Sequence, residues 1–349
     1  MELELVFEKS ILVLVVFVIT LLIAMYSTLA ERKVAGFMQS RYGPDRAGPA
    51  GILQPLADGG KFFFKEEIIP AGAHKVLFIA GPTIAIITSL ISSAVIPWGQ
   101  ELEIGGRTVS LQVADINVGL LYMFGVVALG VYGVMIGGWA SNNKFSLMGT
   151  VRAASQSISY EVGMGLSIIA LLMVTGSLSL KEIVSQQEGF VNWNIWVQPL
   201  GFLIFLVCAF AECNRVPFDL PECETEIVGG YNVEYSSMKL AFYMFAEYIN
   251  MFVASALMAT LYFGGYNFPF MGYLLNDVGL SQNWITIIGV FVFFAKILAF
   301  IFFFMWIRWT VPRFRYDQLM NLGWKILIPL AIANIVLTGI VIVVKDTYF

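Results

Sequence analysis

Apolar residues run through this chain in long blocks separated by short polar stretches, and the blocks are too long for soluble helices. Residues 10–29, 76–98, 118–141, 162–180, 196–211 and 326–344 contain no Asp, Glu, Lys or Arg. Two more blocks, 240–264 and 284–307, hold one charge each, Glu247 and Lys296. A bilayer crossing takes about 20 predominantly apolar residues. The pattern therefore predicts an all-α polytopic integral membrane protein with eight transmembrane helices. A ninth segment, about 53–67, differs in kind. Gln54, Asp58, Lys61 and Lys65 fall on one side of a helix there, with Ile52, Leu53, Leu56, Phe63 and Phe64 on the other. Too short to cross and amphipathic, it is expected to lie along the membrane surface.

The loops carry an orientation signal. Fifteen of the 20 Lys and Arg residues fall in 30–75, 142–161, 212–239 and 308–325, on one side of the eight spans. The positive-inside rule places those loops and the surface helix in the cytoplasm and both termini outside. The first block is preceded by the acidic MELELVFEKS and followed by no small-residue cleavage site, so it reads as a retained helix rather than a signal peptide. With no internal repeat, 1–349 reads as one membrane domain.

Composition narrows the chemistry. Of 349 residues 58% are hydrophobic and 13% charged, with a net charge of −4, which argues against a nucleic-acid footprint. A lone histidine, His74, cannot supply both axial ligands of a bis-histidine haem. Cys208, Cys213 and Cys223 are too few and too widely spaced for an iron–sulfur cluster or structural zinc, and no phosphate-binding GxxxxGK[ST] loop occurs. No metal or bound cofactor is expected, and any redox chemistry belongs to partners.

The intramembrane charges and the acidic loops carry the remaining information. An ionisable residue near a helix centre costs about 2.5–3.5 kcal/mol to insert, so it normally faces a partner or water. Lys239, Tyr243, Glu247 and Asn250 make one polar stripe at i, i+4, i+8, i+11. Glu247 and Lys296 read either as a fixed buried ion pair or as parts of a proton relay. Before that helix, AECNRVPFDLPECETEIVGGYNVEYSSMK holds Glu212, Asp219, Glu222, Glu224, Glu226 and Glu234 against Arg215 and, at its end, Lys239. Asp219 and Glu222 suit a helix start. Glu222 and Glu226, at i, i+4, repel. In open water this is an acidic loop; poorly solvated, such carboxylates hold and pass protons. Glu161, after RAASQSISY, extends the series with Arg152 and Gln156.

These segments carry a resemblance. ERKVAGFMQSRYGPDRAGPAGILQPLADGGKFFFKE, GVYGVMIGGWASNNKFSLMGTVRAASQSISYEVGMGLS, AECNRVPFDLPECETEIVGGYNVEYSSMKLAFYMFAEYINM and RWTVPRFRYDQLMNLGWKILIPLAIAN resemble the H subunit of bacterial respiratory complex I, the proton-pumping NADH:quinone oxidoreductase, over nearly the whole chain. The resemblance implies a membrane protein of the bacterial inner membrane that has no catalytic activity alone. It would join antiporter-like membrane subunits to a hydrophilic arm that holds FMN and iron–sulfur clusters, with quinone as substrate. It implies a quinone entrance framed by the first and sixth spans and the surface helix. It places Glu31, Arg41, Arg46, Asp58, Lys61, Lys65, Phe218 and Arg315 at the quinone chamber. It assigns Glu161, Glu212, Asp219, Glu222, Glu224, Glu226, Glu234 and Glu247 to an acidic path for protons. Lys296 fits a family position without a settled role and is grouped with that path. Arg308, Arg313 and Asp317 match the last cytoplasmic loop.

Two other readings compete: the corresponding membrane subunit of a membrane-bound hydrogenase or related dehydrogenase, and a stand-alone transporter coupled through Glu247 and Lys296. The full RYGPDRAGPAG and FDLPExExE stretches favour the quinone complex. A transporter often shows repeats and broken mid-membrane helices, and no such pair of segments is seen.

Overall fold

The computed structural model describes residues 2–104, 106–272 and 281–348, and among them all side chains except those of 2–5, 104, 224, 225 and 348. The described chain is mostly helical, with one short hairpin. In order come α1 (Glu2–Met38), α2 (Gln54–Phe64), α3 (Lys75–Ser92), a hairpin of β1 (Glu101–Ile104) and β2 (Arg107–Ser110), α4 (Gly119–Ala140), α5 (Lys144–Thr175), α6 (Leu180–Ser185), α7 (Asn194–Val197) and α8 (Pro199–Glu212). Then follow α9 (Glu224–Ile227), α10 (Ser237–Tyr262), α11 (Gln282–Thr310), α12 (Tyr316–Asn321) and α13 (Ile328–Tyr348), the last two joined by a π-helical turn over Leu322–Leu327.

Among the described residues, seven stretches are long and apolar enough to cross a bilayer: Val6–Met38, Lys75–Val95, Gly119–Ala140, Lys144–Thr175, Ser237–Tyr262, Gln282–Thr310 and Tyr316–Thr347. The eighth expected block, 196–211, divides at Gln198–Pro199 into α7 and the 14-residue α8. Proline supplies no N–H, so a helix begins there more readily than it continues. Two boundaries differ from the hydrophobic blocks. α1 runs on through Glu31, Arg32 and Lys33 to Met38, and α5 starts at Lys144, well before residue 162. Asn143 caps α5, its side chain accepting from Phe145 N at 2.8 Å, and Gly176 ends it in the left-handed region at φ 67°.

α10 lies at the centre, with Ile249, Phe252, Ala256, Met258, Ala259, Leu261 and Tyr262 all fully buried. Lipid-facing surfaces are the converse: Val336, Leu337, Ile340, Val341 and Val343 of α13 are each more than half exposed. Such a row is unfavourable in water and appropriate in hydrocarbon. α3 and α4 approach closely through Gly81, Gly133 and Gly137, where an added Cβ would strike backbone or the hydroxyls of Tyr235 and Tyr243. Pro82 interrupts α3 and leaves the Phe78 carbonyl without its helical donor; the Tyr235 hydroxyl donates to that carbonyl at 3.0 Å.

Candidate functional site: a membrane cleft and a buried acidic cavity

α1, α2 and α10 enclose a cleft with about 620 Å³ of empty space, its mouth included. Met25, Thr28 and Arg32 of α1 form one wall, Pro55, Asp58, Lys61 and Phe62 of α2 a second, and Ala241, Met244, Phe245 and Tyr248 of α10 the third. Asp58 pairs with Arg32 at 2.7 Å and accepts from Gln54 Nε2 at 3.1 Å, which fixes α2 against α1. At the far end of α2, Lys239 pairs with Glu67, and the Ser237 hydroxyl donates to the Phe62 carbonyl at 3.0 Å. Leu56, Phe63 and Phe64 of α2 point away from the cleft and are 54%, 71% and 94% exposed, the surface an interfacial helix offers to lipid.

Behind Tyr248 lies Glu31, about two turns before the end of α1 and almost fully buried. Its Oε2 accepts from Tyr248 Oη at 2.8 Å and from Arg215 Nη1 at 3.1 Å, and its Oε1 pairs with Arg308. The Arg215 guanidinium lies on the Tyr248 ring, 4.1 Å from its centre. Arg215 Nε and Nη2 are buried and make no hydrogen bond among the described residues. Three segments distant in sequence thus converge on the one carboxylate of α1.

A second space of about 510 Å³, openings included, lies on the other side of α10. Glu247, Asn250, Tyr243, Tyr231, Asn214 and Glu212 give it a polar lining. Tyr231 donates to Glu247 Oε1 at 3.2 Å, and Tyr243 donates to the Gly133 carbonyl at 3.1 Å. Glu212, Asn250 and Val127 are shared with a third, apolar space of about 450 Å³ walled by Met123, Met164, Phe205 and Leu257. Glu212 closes α8 with Oε2 buried and unpaired, so its remaining accessible surface faces these cavities.

The acidic residues divide by position. Glu222 accepts from Asn232 Nδ2 at 2.6 Å and interacts electrostatically with Glu247, as Asp219 does; Glu212 interacts likewise with Glu161. Asp219, Glu222 and Glu247 therefore form one cluster and Glu212 with Glu161 another, joined by the polar cavity. Asp219 is pushed up to about 6 by burial and by Glu222, against the opposing pull of Arg313, Arg308 and Arg215. Arg313 Nη2 bonds Asp219 Oδ2 at 2.8 Å, but desolvation outweighs that pair.

Other expected site residues stand elsewhere. Glu226 is exposed and paired with Arg152 at 2.6 Å, and Glu234 accepts from Asn143 Nδ2 at 2.6 Å at the start of α5. The Glu224 side chain lies outside the described residues. Arg41, Arg46, Lys65 and Arg315 do not line the cleft; Arg41 bonds Gln39 at 2.7 Å and Arg315 pairs with Asp317 at 2.9 Å, both at the surface. Phe218 is buried between the rings of Tyr160 and Phe314, at 5.2 and 5.4 Å between centroids. Lys296 does not reach Glu247; its ammonium bonds three carbonyls beyond the end of α10. The ion-pair reading of Glu247 and Lys296 is thereby removed.

The hydrophobic pattern alone misses Tyr231 and Tyr235, which with Tyr243 form a T-shaped aromatic series at 5.2 and 5.0 Å. The signal available for Tyr235 was Pro82, which frees the Phe78 carbonyl and so calls for a donor. Gln156, expected on a hydrophilic path, instead ties the loop to α5, donating to the carbonyls of Ala211 and Phe218 at 2.8 Å each.

Fold and site together define a multi-pass helical membrane protein in which a cleft between spans adjoins a buried carboxylate cavity. A family model described as NADH dehydrogenase matches residues 11–339. An H subunit of the NADH-quinone oxidoreductase of Cytophaga hutchinsonii is 66% identical over 336 residues, covering 96% of this chain and 97% of that protein. The H subunit of the NADH-quinone oxidoreductase of Flavobacterium johnsoniae is 60% identical over 346 residues, covering 99% and 98%. The chain belongs to this family, as an H subunit of the NADH-quinone oxidoreductase enzyme complex.

Proposed function

We propose that this chain forms the membrane wall of the quinone site and passes the charge change of quinone reduction into the membrane as proton movement. The observation that carries the reading is the placement of two consecutive residues. Tyr248 walls the cleft and Glu247 walls the acidic cavity, while Arg215 rests on the first and interacts electrostatically with the second.

Quinone from the bilayer enters between α1, α2 and α10. Partner subunits, which would hold FMN and iron–sulfur clusters, would supply two electrons, and the head group would take up two protons to become quinol. The charge change at the cleft is felt by the Glu31–Arg215–Tyr248 group. A guanidinium holding Glu31 through one nitrogen, with two further donors buried and unpaired, is free to favour Glu247 when its hold on Glu31 weakens. Protons then move among Asp219, Glu222, Glu247, Glu212 and Glu161 towards antiporter-like partners. In this reading the chain binds no cofactor of its own. It crosses the bacterial inner membrane eight times, α7 and α8 supplying the short crossing, with both termini outside.

The test is to fill the cleft. Ala241→Trp in the assembled complex places an indole where α10 faces α2. The expected result is at least a tenfold rise in KM for quinone, with NADH oxidation by a water-soluble acceptor unchanged. An unaltered KM in an assembled variant rejects the cleft as the entrance.

A further inference from the structure

The segment after α10 poses a backbone problem. The helix ends at Tyr262, and residues 263–268 turn back without regular structure alongside α11, where Tyr266 O lies close to Gly289. Irregular backbone at membrane depth is tolerated only where its polar groups find partners within the protein. The carbonyls here are accounted for almost one by one. Gln187 Nε2 donates to Thr260 O at 3.0 Å, Asn194 Nδ2 to Leu261 O at 2.8 Å, and Asn267 N to Gly264 O at 2.8 Å. Phe263 O, Gly265 O and Asn267 O all accept from one atom, Lys296 Nζ, at 2.7, 2.8 and 2.6 Å.

Three acceptors around one nitrogen specify its protonation state. An ammonium has three N–H donors and no lone pair, whereas a neutral amine has two donors and a lone pair that would face a carbonyl. The Trp193 ring, 4.7 Å from Nζ, adds an aromatic wall suited to a cation. Carbonyls at the C-terminal end of a helix carry the negative pole of its dipole, which favours the same charge. Glu247 lies 16 residues back along α10, about 24 Å at 1.5 Å per residue.

We infer that Lys296 is a permanent cation that caps α10, and that the carbonyls of Phe263, Gly265 and Asn267 with the Trp193 face form a site for one ammonium-type monovalent cation, which the lysine fills from within the chain. Lys296 is then a positioning residue for the helix that bears Glu247 and Tyr248, and it takes no part in proton transfer.

Two variants of the whole complex test this. Lys296→Ala empties the cradle and is expected to speed thermal inactivation at least tenfold, equivalent to about 1.4 kcal/mol. Ammonium or methylammonium should slow that inactivation relative to sodium at equal ionic strength, with no such effect on the wild type. Absence of any ammonium effect overturns the cradle. Lys296→Arg keeps a charge that cannot be released as a proton. The expected result is an assembled complex with the wild-type ratio of protons moved to electrons transferred. An assembled Lys296→Arg complex that reduces quinone without pumping overturns the fixed-cation assignment. Only this second arm rests on the proposed function; the inactivation arm stands whether or not the chain conducts protons.

Discussion

Glu31 and Arg215, 184 residues apart in sequence, meet at 3.1 Å between Oε2 and Nη1, both almost completely buried. A pair so desolvated adds little net stability over an apolar replacement, yet removing one partner leaves a buried charge uncompensated. Glu31→Gln is therefore expected to cost about 3–5 kcal/mol, because it leaves Arg215 and Arg308 together without their shared anion. The double variant Glu31→Gln/Arg215→Gln should recover part of that loss. Thermal inactivation of the four complexes in a double-mutant cycle measures the coupling, and strict additivity of the two single losses would sink the prediction.

Asp219 supplies a pH dependence. Burial raises its folded-state pKa from the ordinary 3.8 to about 6. The folded state therefore holds the proton more tightly than the unfolded chain. The associated stability is fully present below the ordinary value and is lost as pH rises through about 6, on the order of 3 kcal/mol in all. Asp219→Asn should flatten the stability–pH curve between about 4 and 6, as a thermal-inactivation series across that range would record. A curve of unchanged slope would place the titration elsewhere.

Glu247→Gln keeps the shape of the side chain and its capacity to accept from Tyr231, so assembly and quinone binding should persist. Proton pumping per quinone reduced should fall at least tenfold, the quantity to follow in sealed vesicles with NADH. Wild-type pumping in an assembled variant would take Glu247 off the pathway.

Gly137 sits where a Cβ would overlap the Tyr243 hydroxyl and fall 2.7 Å from that of Tyr235. Gly137→Ala is expected to displace Tyr243 from the Gly133 carbonyl, at the 1–3 kcal/mol or so typical of overpacking. Gly137→Ala combined with Tyr243→Phe should be less destabilised than Gly137→Ala alone. Equal stability of the two, read by thermal inactivation, would mean that the hydroxyl is not the obstacle.

Long uncharged blocks and the amphipathic segment were legible because their physical causes are local. Seven of the blocks coincide with helices able to cross a bilayer. Helix ends were less legible: nothing in hydropathy stops α1 at the membrane surface, because Glu31 finds Arg215 and Arg308 only in three dimensions. The hairpin went unread although Gly105–Gly106 between Leu102, Ile104 and Val109 is a hairpin-type turn signal. Glu247 was identifiable from its cost in a span, but which acids share its surroundings was not. Glu222 joins it and Glu226 turns out to Arg152, a difference of four residues that the loop path alone decides. Lys296 was recognisable as anomalous for the same reason as Glu247. Its partners were invisible to sequence because they are backbone carbonyls, which every residue possesses.

The shortness of α8 has an electrical consequence. Fourteen residues at 1.5 Å each make a helix of about 21 Å, against a hydrocarbon core of about 30 Å. In the proposed eight-span arrangement, with Pro199 level with one face of the core, Glu212 stops about 9 Å short of the other. Membrane voltage falls mainly across low-dielectric material, so in that arrangement a polar filling of the interval would contract the field into the remaining two-thirds or so of the thickness. A charge reaching Glu212 from the polar side has then crossed little of the potential. The work of about 2.3 kcal/mol per charge per 100 mV is concentrated beyond it. In the eight-span arrangement the electrical depth of this carboxylate is thus smaller than its geometric depth.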